Sequence, residues 1–108
     1  MTGGSRVRVC PAGELTLGAP RRVVVDGVAI CLVRCGDGVR AVGDTCSHED
    51  FSLSEGEVDV EACEIECWKH GSMFSLVTGE PVTLPATRPV PVYPVEVDQD
   101  DFLVVVLP

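Results

Sequence analysis

Two short motifs hold both histidines and two of the six cysteines of this 108-residue chain: Cys46-Ser47-His48 and Cys67-Trp68-Lys69-His70. Each couples one soft thiolate to one imidazole, and eighteen residues lie between His48 and Cys67. Two loops carrying such pairs are able to close on one metal centre from opposite sides. Tetrahedral zinc accepts two cysteines and two histidines. Zinc fingers, however, usually place both cysteines first and both histidines after them, as C-x2-4-C followed by H-x3-5-H. Here the order alternates, with one ligand of each kind per motif. That interleaving suits a two-iron, two-sulfide centre in which one iron keeps two thiolates and the other takes two imidazoles. The order favours the two-iron centre and leaves a structural zinc module as the alternative. An accidental clustering in a core would require both histidines to fall there by chance.

Something rigid must present these motifs, and the rest of the chain reads as strands and turns. Val7 and Val9 alternate with Arg6 and Arg8 in a first strand, and Pro11 to Pro20 is a Gly- and Pro-rich loop. Arg22 to Val25 is β-branched, Asp26-Gly27 is a two-residue hairpin signal, and Val28 to Arg34 returns as the partner strand. Gly36-Asp37-Gly38 turns the chain into Val39 to Val42. After the motifs, Met73 to Val77 reads as a strand with Thr78-Gly79-Glu80-Pro81 as its turn. Val90 to Val97 carries Pro91 and Pro94 and fits an edge or irregular strand. Asp98 to Asp101 leads into a last strand, Phe102 to Val106. No segment holds a helical period over a window of about 11 residues. We therefore expect an all-β, antiparallel sandwich or barrel forming a single domain over 1–108. In it a β scaffold (about 1–43 and 85–108) carries an insertion, about 44–84, that holds the metal ligands.

Composition narrows the function classes. Seventeen acidic against eight basic residues give a net charge of −9, which argues against nucleic acid as a partner. We expect no secretory leader, because Met1 to Arg6 opens without an apolar run, and no membrane span, because no apolar stretch nears the roughly 18 residues one needs. A soluble, cytoplasmic protein follows as the expectation. In that compartment Cys10, Cys31, Cys35 and Cys63 are expected to be reduced and packed as small apolar side chains. Between Ala41 and Trp68 stand nine Asp or Glu and no Lys or Arg. They form either an ordinary solvated face or, through Glu49, Asp50, Glu55, Glu57 and Asp59, a field that steers docking to a basic partner surface. Trp68 is expected to pack the loop rather than relay electrons. Catalysis is not expected: a mononuclear iron site would need two further histidines and a carboxylate, and the only two histidines already belong to the motifs.

The segments Cys46-Ser47-His48 and Cys67-Trp68-Lys69-His70-Gly71-Ser72-Met73-Phe74 resemble the Rieske-type [2Fe-2S] ferredoxins, the soluble electron carriers of bacterial ring-hydroxylating oxygenase systems. The resemblance extends from the Arg22 hairpin to the last strand and is most specific from Thr45 to Phe74. It implies a Rieske-like β sandwich with an inserted small cluster-binding β subdomain. Cys46 and Cys67 would hold the inner iron, His48 and His70 the outer, and Gly79-Glu80-Pro81-Val82 would form a third loop over the cluster. It further implies a carrier, not an enzyme, that takes single electrons from an NAD(P)H-dependent flavoprotein reductase and passes them to a terminal non-haem iron oxygenase. The alternative within the same chemistry is an accessory subunit or redox sensor of a nitrite-reductase-like or iron-sulfur assembly system. Respiratory members carry two more cysteines at the positions of Phe51 and Lys69, so their loop-linking disulfide is missing here. Ser72 keeps one of the two hydroxyls that those members aim at cluster sulfurs, whereas Phe74 lacks the other. Such donors raise the potential, so we expect a value in the lower half of the roughly −150 to +300 mV range of these centres.

Overall fold

A computed structural model describes residues 5–36, 38–46, 51–68, 71–84 and 88–107. The expectations placed on His48, Glu49, Asp50, Lys69 and His70 lie outside these residues.

The described chain is built on antiparallel sheets, as the alternation of apolar and polar residues predicts. One sheet joins β1 (Ser5–Pro11), β10 (Phe102–Leu107) and β9 (Val95–Val97) in the order β1-β10-β9. A second runs β2-β3-β4-β8, from β2 (Arg21–Val25), β3 (Val28–Cys35), β4 (Gly38–Gly43) and β8 (Val92–Tyr93). Asp26 and Gly27 both take positive φ, 50° and 79°, as the tight turn between β2 and β3 requires. Valine pairs opposite it, Val25 with Val28.

The expected single irregular strand over 90–97 divides at Pro94. β8 pairs with β4, whereas β9 pairs with β10 in the other sheet. Proline has no N–H to give a ladder, and its free carbonyl accepts the Val106 N–H at 3.0 Å. The strand expected over Met73 to Val77 stops at Ser75, because the Ser75 hydroxyl accepts the N–H groups of Val77 and Thr78 and turns the chain.

A third sheet, β5-β6-β7, comes from the stretch between β4 and β8: β5 (Val58–Asp59), β6 (Glu64–Glu66) and β7 (Met73–Ser75). Its strands are two and three residues long. β5 and β6 had no counterpart in the pattern reading, since two acidic residues flanking one buried Ile65 make too short a period to recognise.

β3 organises the molecule. Ile30 and Leu32 point into a core shared with β1, β9 and β10, with Leu103, Val105 and Leu107 opposite. The intervening residues Cys31, Val33 and Cys35 point the other way, into a second core with Leu53, Ile65, Phe74 and Leu76 of the insertion. Burial on both faces explains why β3 reads as a continuous apolar run rather than an alternation.

One expectation is overturned here. Cys35, at the end of β3, and Cys63, in the turn before β6, are not reduced: they form a disulfide with Cα atoms 5.7 Å apart. The cysteines sit 28 residues apart in sequence, and the compartment argument for free thiols could not see that the fold sets them side by side. Cys10 and Cys31 are free and buried, as expected. Burial, reinforced by the charge of Asp44, pushes the Cys31 thiol well above its ordinary range, so it stays protonated. No described helix is long and apolar enough to cross a membrane.

Candidate metal centre

The two motifs open two loops of the same construction. The Cys46 N–H donates to the Phe51 carbonyl at 2.9 Å, and the Cys67 N–H donates to the Ser72 carbonyl at 2.7 Å. In each loop the cysteine bonds to the residue five further on. Each loop is also closed by a strand-type pair just outside it, Thr45 with Ser52 and Glu66 with Met73. In the second loop the Cys67 carbonyl takes the Gly71 N–H at 2.9 Å, with Gly71 at positive φ. Cys46 and Cys67 are both buried in the core on the insertion side of β3. The structure thus places in one core the two cysteines that the resemblance assigns to the inner iron.

The loops touch through aromatic side chains. Phe51 and Trp68 meet edge to face with ring centroids 5.2 Å apart, and Trp68 remains about half exposed at 48%. Trp68 therefore packs the loops, as expected. The contact involves Phe51, where respiratory members place one of their additional cysteines. Ser72 and Phe74 are fully buried. The segment after β7 runs back along its edge: Ser75 N–H donates to the Glu80 carbonyl, Val82 N–H to the Met73 carbonyl, and Met73 N–H to Thr83 Oγ1, at 2.9, 2.6 and 2.9 Å. Gly79 needs its lack of a side chain there, because a Cβ would collide with the Val90 carbonyl.

A residue that the sequence reading did not single out supports the first loop. Asp44 is buried to 2% exposure, two residues before Cys46. Its Oδ1 accepts the Ser54 N–H at 2.9 Å, and its Oδ2 accepts the Ser52 hydroxyl and Arg22 Nε, the latter at 3.1 Å. Its backbone is held as well: its N–H reaches the Ala29 carbonyl and its own carbonyl takes the Leu53 N–H. Both ends of the loop are thereby fastened to one carboxylate. Its visible signal is Asp44 followed by Ser52-Leu53-Ser54, but only the fold shows that those hydroxyl and amide donors converge.

The donor chemistry fits an iron-sulfur centre. Two buried thiols sit on apolar-backed loops of equal closure. Residues 5–94 match the Rieske [2Fe-2S] domain. The chain is 40% identical over 99 residues to the ferredoxin CarAc of Metapseudomonas resinovorans, covering 91% of each. It is 36% identical over 100 residues to the 3-phenylpropionate/cinnamic acid dioxygenase ferredoxin subunit of Escherichia coli K12, covering 93% of this chain and 92% of the other. Among solved structures it superposes on a chain of a complex of reduced oxygenase and oxidised ferredoxin of carbazole 1,9a-dioxygenase. That match has a TM-score of 0.86 and 38% identity over 94% of this chain and 92% of that one. Both of these relatives are named as ferredoxins. The match over most of its length, joined to the paired cysteine loops, establishes that the chain belongs to the Rieske [2Fe-2S] domain family.

Proposed function

We propose that this protein carries single electrons from an NAD(P)H-dependent flavoprotein reductase to a terminal non-haem iron oxygenase in the cytoplasm. Cys46 and Cys67 would hold one iron of the [2Fe-2S] cluster, and His48 and His70 the other. When bound, that cluster supplies one-electron chemistry at a potential raised by replacing two anionic thiolates with neutral imidazoles. The observation that carries the reading is the pair of identically closed, cysteine-headed loops on one apolar core. Its support comes from relatives named as ferredoxins, one of them the ferredoxin subunit of a dioxygenase, and from the likeness to a complex of oxygenase and ferredoxin.

The chain's own residues would do three things. The β3 core backs the loops and keeps water from the thiolates. The segment Gly79-Glu80-Pro81-Val82 would cover the cluster as a third loop from beyond β7. Glu55, Glu57 and Asp59, all exposed, would steer transient encounters with basic partner surfaces, raising the on-rate more than the affinity.

The test is direct. Purified protein should be brown, contain iron and sulfide in equal amounts, and give on reduction the low-average-g EPR signal of a histidine-ligated [2Fe-2S] centre. Electron transfer from a cognate reductase should slow several-fold from low to high ionic strength. A colourless protein loaded with zinc defeats the carrier reading, and a salt-independent rate removes the steering.

A further inference from the structure

Asp44 is the one charged side chain that is buried among the described residues. Burying a carboxylate is costly unless it is paired and hydrogen-bonded. Here it has Arg22 as counter-ion and the Ser52 hydroxyl and Ser54 amide as donors. Fastening a loop neck does not by itself require a charge: a neutral amide keeps one acceptor oxygen for the Ser54 N–H, and its NH2 would donate to the Ser52 hydroxyl instead of accepting from it. What only the carboxylate provides is a fixed negative charge in a weakly screened place, two residues from a thiolate of the cluster loop.

Resting on the Rieske reading of Cys46 and Cys67, we propose that Asp44 and Arg22 form a charge pair that positions the first ligand loop and sets the cluster's reduction potential. Asp44 opposes the arrival of an electron and Arg22 partly offsets it. Neither touches the cluster through a ligand bond, and both act through the loop and through space. Their unequal burial gives them unequal weight. Asp44 is enclosed, whereas the Arg22 side chain is 53% exposed and its field is correspondingly screened by solvent. That the Asp44 charge is felt inside this core is consistent with its contribution to the raised Cys31 thiol.

The two signs make the proposal testable on the holoprotein by redox titration followed in the visible circular dichroism. Asp44→Asn keeps the side-chain shape and an oxygen acceptor but removes the charge. At a fixed ambient potential its ratio of reduced to oxidised cluster should rise about tenfold. Arg22→Gln should move the same ratio the opposite way by a smaller factor, roughly threefold. Arg21→Gln removes an equal charge from an exposed neighbour whose partner is Glu14, at 3.3 Å, and should leave the ratio unchanged. A merely structural Asp44 would not produce opposite shifts in the two variants. The proposal is overturned if Asp44→Asn and Arg22→Gln behave like Arg21→Gln, or if both shift in one direction. If Asp44→Asn fails to retain the cluster, Arg22→Gln decides alone: a fall in the ratio supports the pair and no change overturns it. Cluster loss in both variants assigns the pair to structure only and also overturns it. A wild-type protein without the visible spectrum would instead defeat the Rieske reading itself.

Discussion

The two faces of β3 look onto two cores built by different means. On one face, strands of five to eight residues from β1, β2, β3 and β10 enclose Ile30, Leu32, Leu103 and Val105 with long backbone ladders. On the other, strands of two and three residues enclose Cys31, Val33, Ile65 and Phe74. So few ladder bonds cannot hold a sheet in register by themselves, since even an isolated hairpin is marginal in water. The insertion is held by cross-links instead: the Cys35–Cys63 disulfide and the Asp44 hydrogen bonds. Two cysteine-headed loops can be held in fixed register without long strands, provided that a rigid sheet stands behind them and covalent or ionic ties replace the missing ladders.

This contrast predicts that the two cores respond separately to loss of a ligand. Cys67→Ser should abolish essentially all the visible absorption of the cluster. Amide exchange should then quicken strongly at Ile65 and Phe74, while Leu32, Leu103 and Val105 keep their protection, because metal binding and local folding are coupled in the insertion alone. Equal loss of protection on both faces of β3 would mean that the molecule is one cooperative unit and that the comparison is false.

The disulfide is the next tie to remove. It closes a loop of 28 residues that spans the whole of the first ligand loop. By the entropy of loop closure it should contribute about 3.5 kcal/mol. In the Cys35→Ser, Cys63→Ser double variant, the denaturant midpoint for loss of cluster colour should fall accordingly. The far-UV transition of the scaffold should shift much less. A small thiol reductant should reproduce the effect in the wild type only as fast as the buried sulfurs are reached. Cys35 is 2% and Cys63 7% exposed, so reduction should be slow, and attack should favour Cys63.

Both the legible and the hidden parts of the fold follow from interaction range. The Asp26-Gly27 hairpin and the alternating β1 were readable because neighbours in sequence determine them. The family was readable for a related reason, since the alternating Cys/His motifs limit which chemistry they suit. The switch of sheets at Pro94 was only half readable: proline marks the interruption, but which sheet each half joins depends on partners elsewhere in the chain. β5 and β6 were too short to carry a period. The disulfide and the Asp44 network were hidden for a stronger reason. Each depends on residues that meet only after β3 is in place, and an acidic residue in an acidic stretch gives no sign that it is the buried one.

The weakest of these effects lies at the scaffold's far turn, where ties of the same kind as those on Asp44 are spread over an exposed surface. Asp98 Oδ1 accepts the N–H groups of Asp100 and Phe102, at 2.9 and 3.1 Å, and Oδ2 takes Arg8 Nε at 2.7 Å. Arg8 also lies 4.2 Å above the Phe102 ring. The hydrogen bond from Arg8, followed by that from Phe102, holds the Asp98 carboxyl below its usual range. A lowered folded value means that this tie contributes fully above the ordinary aspartate value, near 3.9. It is lost as pH falls through the lower folded value. Carboxyl-carbon NMR should therefore place the Asp98 midpoint below the ordinary value, and Arg8→Ala should return it most of the way. Because water screens every partner here, the same substitution should leave the neutral-pH denaturant midpoint nearly where it was. A large fall would show that even the scaffold relies on ionic ties, and would erase the distinction between the two faces of β3.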